Sequence, residues 1–205
     1  MAALWLELQQ RIASRSVHEV KNALNGVAVN LEVVRSRLAR VGTEPSAVAR
    51  YADAGAAQFE TLTSLVEALL TLARPATGAT DVLALLRPLV ALLSAVVRPD
   101  GVGIEIAGTS VERGAAITSA GAETVRLALA SALLAAVDAR RDVRCRVDVD
   151  EEGSTIVRIG NEAEGPAPSI DSRVQHAVEG SGVTMERDAG VIRLKFTPPG
   201  GASNS

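Results

Sequence analysis

The sequence predicts an α+β protein in which a long antiparallel helical hairpin precedes a small α/β sandwich. The first observation is a pair of heptad repeats of apolar residues within residues 1–74, a pattern typical of helices that pack on other helices. The second is that, from residue 81 onward, helical periods are mixed with short segments of alternating apolar and polar residues. We therefore expect a hairpin over 1–74, a linker over 75–80, an α/β domain over 81–198 and a flexible tail over 199–205.

The first predicted helix covers residues 3–40 and carries one of the two heptads. Its apolar residues recur at alternate spacings of four and three, which places them along one seam of the helix. These residues are Ala13, Val17, Val20, Leu24, Val27, Leu31, Val34, Leu38 and Val41. Gly42 suits the position that ends a helix, and Pro45 suits the first turn of the next one.

The second heptad follows at once and predicts a second long helix that runs back along the first. Its members are Val48, Ala52, Gly55, Phe59, Leu62, Val66, Leu69 and Ala73. Two helices cannot bury both seams between them, so we expect a homodimer in which two hairpins form a four-helix bundle. The alternative is a hairpin that folds back on its own C-terminal domain.

The α/β domain is expected to begin with a helix that Asp81 caps, that Pro88 interrupts and that ends before Pro99. Later helices are expected at 122–140 and 172–179. Strands are expected at 102–107, 115–118, 143–149, 155–159, 182–187 and 191–197. In the strand at 143–149, Arg144, Arg146 and Asp148 alternate with apolar residues, which predicts one open face.

Composition and charge exclude several classes of function. The chain has 205 residues, a net charge of −3 and 2% aromatic residues, so nucleic acid is not an expected partner. Cys145 is the sole cysteine, which excludes an internal disulfide and a multi-cysteine metal site. No apolar run reaches the ~18–20 residues of a membrane span, and the N-terminus lacks a basic signal region. We therefore expect a soluble cytoplasmic protein without a membrane partner.

A polar stripe lies beside the seam of the first helix. His18, Lys21, Asn22 and Asn25 are spaced at i, i+3, i+4 and i+7, so they share one face. The imidazole is expected to face outward on a rigid helix, with an ammonium group and a carboxamide one turn away and Glu19 next in the chain. The plain alternative is a surface histidine without a role.

The stretch His18–Leu24 reads His-Glu-Val-Lys-Asn-Ala-Leu and resembles the phosphoacceptor box of sensor histidine kinases, in which proline usually stands at the Ala23 position. The resemblance implies that His18 carries a phosphoryl group on a ring nitrogen and that Glu19 orients the imidazole. It also implies that Asn22 can position water for dephosphorylation of a partner. We expect Lys21 to offset charge on the phosphoryl group and Asn22 to donate a hydrogen bond to it.

Residues 81–197 resemble, in the order of their predicted elements, the Bergerat-type ATP-binding domain of the same kinases. The departures from that family matter most. Ala135 stands where the family has its metal-binding asparagine, and an alanine has no oxygen to offer Mg²⁺. The adenine-binding Asp-x-Gly-x-Gly would fall on 161–165, which read Asn-Glu-Ala-Glu-Gly, and there is no room for a lid before Ser172. We therefore expect a degenerate domain that binds neither ATP nor another cofactor.

Together these features predict a histidine phosphotransferase of a two-component phosphorelay, not an autokinase. It would be a homodimer that shuttles a phosphoryl group between the aspartates of response-regulator receiver domains through His18, with Glu19, Lys21 and Asn22 assisting. Mg²⁺ would come with the receiver. The alternatives are a response-regulator phosphatase and a catalytically silent dimeric docking scaffold. His176 is interpreted as a surface or packing residue, and Cys145 as a core residue.

Overall fold

The computed structural model describes residues 1–40, 44–74, 79–97, 101–109, 111, 114–139, 142–161, 168–188 and 190–200. Its elements in chain order are α1 (Ala2–Leu38), α2 (Pro45–Ala73), β1 (Thr80–Asp81), α3 (Val82–Val97), β2 (Ile104–Thr109), β3 (Ile117–Thr118), α4 (Ala122–Asp138), β4 (Val143–Val149), β5 (Thr155–Gly160), α5 (Ser172–Val178), β6 (Val183–Asp188) and β7 (Val191–Phe196). The predicted order, a helical hairpin followed by a mixed α/β domain, is confirmed.

The helices α1 and α2 form the predicted antiparallel hairpin. Gly26 of α1 lies against Gln58 of α2, and Asn30, farther along α1, lies against Gly55, which comes earlier in α2. The two helices therefore run in opposite directions. A Cβ added at Gly26 would come within 3.1 Å of Gln58 Cγ, so this glycine permits the tightest part of the contact. Pro45 is the first residue of α2, as expected of a proline that has no N–H to donate.

The heptad seams are only partly covered within one chain. Val20, Val27 and Val34 are half-buried. The seam residues that alternate with these valines are exposed, at 61% for Val17, 55% for Leu24, 60% for Leu31 and 69% for Leu38. On α2, Phe59 and Val66 are exposed at 60% and 41%. We refer to Val17, Leu24, Leu31, Leu38, Phe59 and Val66 as the exposed seam.

The base of the hairpin packs on the α/β domain. Trp5, Leu8 and Ile12 of α1 share one hydrophobic core with α3 and α4, and so do Leu65 and Leu72 of α2. The fold-back considered as an alternative to a dimer therefore occurs at the base of the hairpin. It leaves the exposed seam uncovered farther along the helices.

The main sheet has the strand order β2-β4-β5-β7-β6, in which β2 runs parallel to β4 and the other neighbours are antiparallel. Its inner face carries the buried residues Cys145, Ile159 and Ile192, which belong to the same core as α3 and α4. The predicted alternation in β4 is confirmed, because Val143 and Cys145 are buried while the arginines between and after them are exposed. One sheet face is thus packed against helices and the other is charged.

The prediction that Pro88 interrupts its helix was wrong, because α3 runs without a break from Val82 to Val97. A proline inside a helix costs about 3 kcal/mol. This helix buries a dense row of leucines, among them Leu86, Leu89 and Leu92 at 0% exposure. Each fully buried leucine contributes about 1.5–3 kcal/mol, so the burial outweighs the cost of the proline.

The start of α3 was predicted in part. Asp81 Oδ1 accepts a hydrogen bond of 3.0 Å from Ala84 N, as expected of a cap. The pairing of Thr80 with Thr118 in a short second sheet was not expected, since Thr80 had been assigned to the linker. The predictions for residues 41–43, 75–78, 162–165 and 201–205 lie outside the described residues.

Candidate functional site

His18 lies on the exposed side of α1, as predicted. Lys21 and Asn22 are exposed with it, whereas Ser16 and Ala23 of the same helix are buried. The imidazole therefore stands on a continuous helix and faces away from the contact with α2. Docking of another protein on this side of α1 requires no opening of the hairpin.

Glu19 and Asn22 contact each other in this structure. Asn22 Nδ2 donates to Glu19 Oε1 over 3.4 Å, which is long for a hydrogen bond. This contact uses one of the two N–H donors of Asn22 and one carboxylate oxygen of Glu19, so it leaves a donor and an acceptor for the predicted roles, Glu19 toward the ring and Asn22 toward a phosphoryl group. A long hydrogen bond at the surface is weak, so breaking it costs little.

The stripe that bears His18 continues toward the α/β domain through two arginines that the sequence analysis missed. Arg15 Nη2 lies 2.9 Å from Asp138 Oδ1, and Arg11 Nη2 lies 3.1 Å from Asp138 Oδ2. His18 follows Arg15 by three residues, so it sits about 4.5 Å farther along the same face of α1. The i, i+4 spacing of the two arginines on that face was the available signal.

Below these ion pairs, α1 covers one side of α4. Leu4, Glu7 and Leu8 of α1 line a narrow cleft together with Ser131, Leu134 and Ala135 of α4. Arg173 closes the cleft, since its Nη2 lies 3.2 Å from Glu7 Oε1 and 2.7 Å from Asp171 Oδ2. The side of α4 to which the family resemblance assigns the nucleotide therefore faces this cleft and the protein's own first helix.

The Asp171–Arg173 contact fixes the start of α5. Asp171 Oδ1 accepts from Arg173 N over 2.8 Å and thereby caps the helix. The hydrogen bonds from the Arg173 side chain lower the pKa of Asp171, and those to Asp171 and Glu7 raise the pKa of Arg173. Both groups are therefore charged at neutral pH.

The described residues at this position of α4 do not fit the magnesium ion of a nucleotide. Ala135 offers no oxygen ligand, and Asp138, one turn beyond it, is paired with two arginines. Within the described ranges no group of three or more histidine, cysteine, aspartate or glutamate residues is placed to hold a metal ion. None of the helices described has the length and apolarity that a membrane crossing requires.

The two remaining candidate side chains have plain roles. His176 is exposed and its Nδ1 lies 3.3 Å from Glu179 Oε2, so it is a surface residue of α5, as the sequence analysis interpreted it. Cys145 is buried, and burial raises the pKa of its thiol to about 12. Such a thiol is protonated at neutral pH and serves as core packing.

No protein-family model matches the chain, and no curated protein matches it. The chain is similar to a solved Acinetobacter baumannii histidine kinase, AdeS, at 11% identity and a TM-score of 0.41, covering 89% of this chain and 98% of that one. The histidine kinase domain of the Erythrobacter litoralis EL346 blue-light activated histidine kinase is 16% identical, with a TM-score of 0.38. That similarity covers 91% of this chain and 94% of the kinase domain. A structure described as a bacterial phosphotransferase is 15% identical, with a TM-score of 0.39. That similarity covers 93% of this chain and 95% of the phosphotransferase.

These three solved structures are thus two histidine kinases and a phosphotransferase.

Proposed function

We propose that this protein is a histidine phosphotransferase of a two-component phosphorelay. It passes a phosphoryl group between the receiver-domain aspartates of response regulators through His18 and does so without ATP. The observation that carries the proposal is the exposed imidazole of His18 on a rigid helix, inside a box that supplies Glu19, Lys21 and Asn22. The pairing of Asp138 with Arg11 and Arg15, and the lack of an oxygen ligand at Ala135, support the absence of nucleotide from the mechanism.

The transfer begins with attack of an unprotonated imidazole nitrogen on the phosphorus of an aspartyl phosphate. A nitrogen–phosphorus bond forms, the phosphorus–oxygen bond to the aspartate breaks, and the aspartate leaves as a carboxylate. Glu19 accepts a hydrogen bond from the other ring nitrogen and so favours the reactive tautomer. The second receiver reverses these steps.

The side chains around His18 stabilise the phosphoryl group during transfer. Lys21, one turn beyond His18, places a positive charge beside the phosphoryl oxygens. Asn22 donates a hydrogen bond to them through the N–H that its contact with Glu19 does not use. Mg²⁺ is bound by the receiver, where it neutralises the aspartyl phosphate. This chain supplies the nucleophile, its orientation and the surrounding donors.

We also propose that a second copy of the chain covers the exposed seam. Its six apolar side chains follow the heptad spacing that four-helix bundles use, and each is at least 41% exposed in the single chain. At 3.6 residues per turn the exposed seam of α1 lies roughly a third of a turn from His18. A dimer formed through this seam therefore leaves both phosphoacceptor faces open to receivers.

Incubation with a phosphorylated receiver domain tests the proposed activity. Labelled phosphoryl groups should appear on this chain in a form that acid releases and base does not, as expected for phosphohistidine. Release of free phosphate without a labelled intermediate would favour the phosphatase. Receiver binding with neither result would favour the docking scaffold.

A further inference from the structure

The open face of the main sheet carries a row of three arginines side by side. The antiparallel register places Arg146 of β4 opposite Arg158 of β5, and Arg158 opposite Arg193 of β7. Neighbouring strands lie about 4.8 Å apart, so three guanidinium groups emerge from adjacent positions. Like charges directly opposite each other destabilise a sheet. The repulsion within this row of arginines therefore destabilises the folded protein when no anion is bound.

Within the described part of the chain, carboxylates form ion pairs with the other arginines of this face, but not with Arg146. Arg158 pairs with Asp148 on the neighbouring strand, and Arg193 Nη1 lies 3.6 Å from Glu186 Oε2. In the next row of the same face, Arg144 Nε lies 3.3 Å from Glu105 Oε1. Among the described residues Arg146 has no carboxylate within ion-pair distance. The β4 end of the row therefore keeps an uncompensated positive charge.

A shallow cavity of about 60 Å³ opens at this point, lined by Arg144, Arg146, Arg158, Gly160, Asn161 and Val191. Among the described lining residues, Gly160 is the one without a side chain. Its φ of +143° is unfavourable for other residues, and a Cβ there would lie 2.3 Å from the carbonyl oxygen of Gly190. The backbone approach that requires glycine also leaves the space between the arginines unfilled by a side chain.

We propose that this arginine cavity binds the phosphate group of a small phosphorylated molecule or inorganic phosphate itself. Guanidinium groups present paired donors that match the oxygens of a tetrahedral oxyanion. The volume suits one oxyanion group, and the bound charge would relieve the repulsion within the row. The cavity lies on the sheet face opposite α4 and does not involve His18. The site is therefore independent of the phosphotransferase proposal.

The test compares the wild type with Arg146→Gln and with Arg87→Gln, an exposed arginine of α3 outside the sheet. Thermal unfolding and calorimetry are measured with inorganic phosphate and with glycerol phosphate, at ionic strength held constant with chloride. The melting temperature of the wild type and of Arg87→Gln should rise and saturate as phosphate is added. Arg146→Gln should show no saturable rise. Tighter binding of the monoester supports an organic phosphate, and equal binding supports inorganic phosphate.

A second readout tests the cost of the row. Without phosphate and at low salt, Arg146→Gln should melt at a higher temperature than the wild type, because one repelling charge is gone. The difference should shrink as salt screens the remaining charges. A phosphate response of Arg146→Gln equal to that of the wild type would overturn the site. A melting temperature that rises with phosphate without saturating in all three proteins would also overturn the site, because that is the general effect of salts excluded from the protein surface.

Discussion

At the scale of single residues, Glu19 and Asn22 contact each other beside His18. Glu19 accepts from Asn22 over 3.4 Å, and both side chains have proposed roles in phosphotransfer. The contact uses one of the two N–H donors of Asn22 and one carboxylate oxygen of Glu19, so both side chains keep hydrogen-bonding capacity for these roles.

Replacing Glu19 by alanine should slow phosphotransfer on the order of 100-fold, since the ring loses the group that selects its tautomer. Receiver binding should persist, because Glu19 carries no phosphoryl group. Glu19→Gln, which keeps an acceptor oxygen, should be slowed less. The rate of label transfer and the affinity for the receiver are measured separately. Unchanged transfer by Glu19→Ala would show that the carboxylate has no part in the step.

Asp171 gives a prediction about pH. Hydrogen bonds from Arg173 lower its pKa below the value in the unfolded chain, so its ionised form stabilises the folded state. That contribution is complete above the unfolded pKa of about 3.9 and is lost as the pH falls through the lower folded value. Asp171→Ala also removes the cap of α5 and should cost about 1 kcal/mol at neutral pH.

Urea unfolding of the wild type and Asp171→Ala at several pH values checks this prediction. The difference in free energy of unfolding should be constant near neutral pH and should narrow below about pH 4. Asp171→Asn keeps an acceptor for the cap and should lose less than the alanine variant. A difference that widened in acid would contradict the assigned direction.

At the scale of elements, the exposed seam predicts a dimer. Replacing Leu31 by glutamate would bury an unpaired charge between two copies, at a cost of about 3–5 kcal/mol. Val29 is the matched control, because it is as exposed as Leu31, at 63% against 60%, but shares the face of His18. Val29→Glu should therefore remain a dimer.

Light scattering at micromolar concentration separates these outcomes. The wild type and Val29→Glu should have twice the mass of one chain, and Leu31→Glu should be monomeric. A monomeric wild type would leave the bundle without support. Dissociation of both variants would place the interface on a different face of α1.

The elements could be predicted where their signals are local. Heptads, strand alternation and the Asp81 cap each depend on neighbours within a few residues, and they gave the hairpin and the order of the α/β domain. The short strand β1 was missed because its pairing with β3 joins residues far apart in the chain. The uninterrupted α3 was missed because Pro88 was weighed without the burial of the leucines around it.

In the candidate site, too, residues within a local motif could be predicted, whereas contacts between distant parts of the chain could not. His18, Glu19, Lys21 and Asn22 form a compact motif, so the sequence alone could name them. The contacts of Arg11 and Arg15 with Asp138 join residues 127 and 123 positions apart. The i, i+4 spacing of the arginines indicates that they share a face of α1, but it does not indicate Asp138 as their partner. Arg173, which links α5 to α1, was missed for the same reason.

At the scale of the whole molecule, the docking of α1 on α4 predicts that ATP does not bind. Ala135 cannot hold Mg²⁺, and Asp138 is held by Arg11 and Arg15. Calorimetry with ATP and Mg²⁺ should show no heat of binding at concentrations that saturate the ATP domain of an active histidine kinase. Micromolar affinity would contradict the degenerate site and favour a kinase.

The central claim is that His18 carries the phosphoryl group, and one labelling experiment tests it most directly. The wild type, His18→Ala and His176→Ala are each incubated with a phosphorylated receiver domain. His176 is the matched control, because it is also exposed but is followed by Ala177, whereas His18 is followed by Glu19. Acid-labile, base-stable label should appear on the wild type and on His176→Ala and be absent from His18→Ala. Label on His18→Ala would contradict the claim.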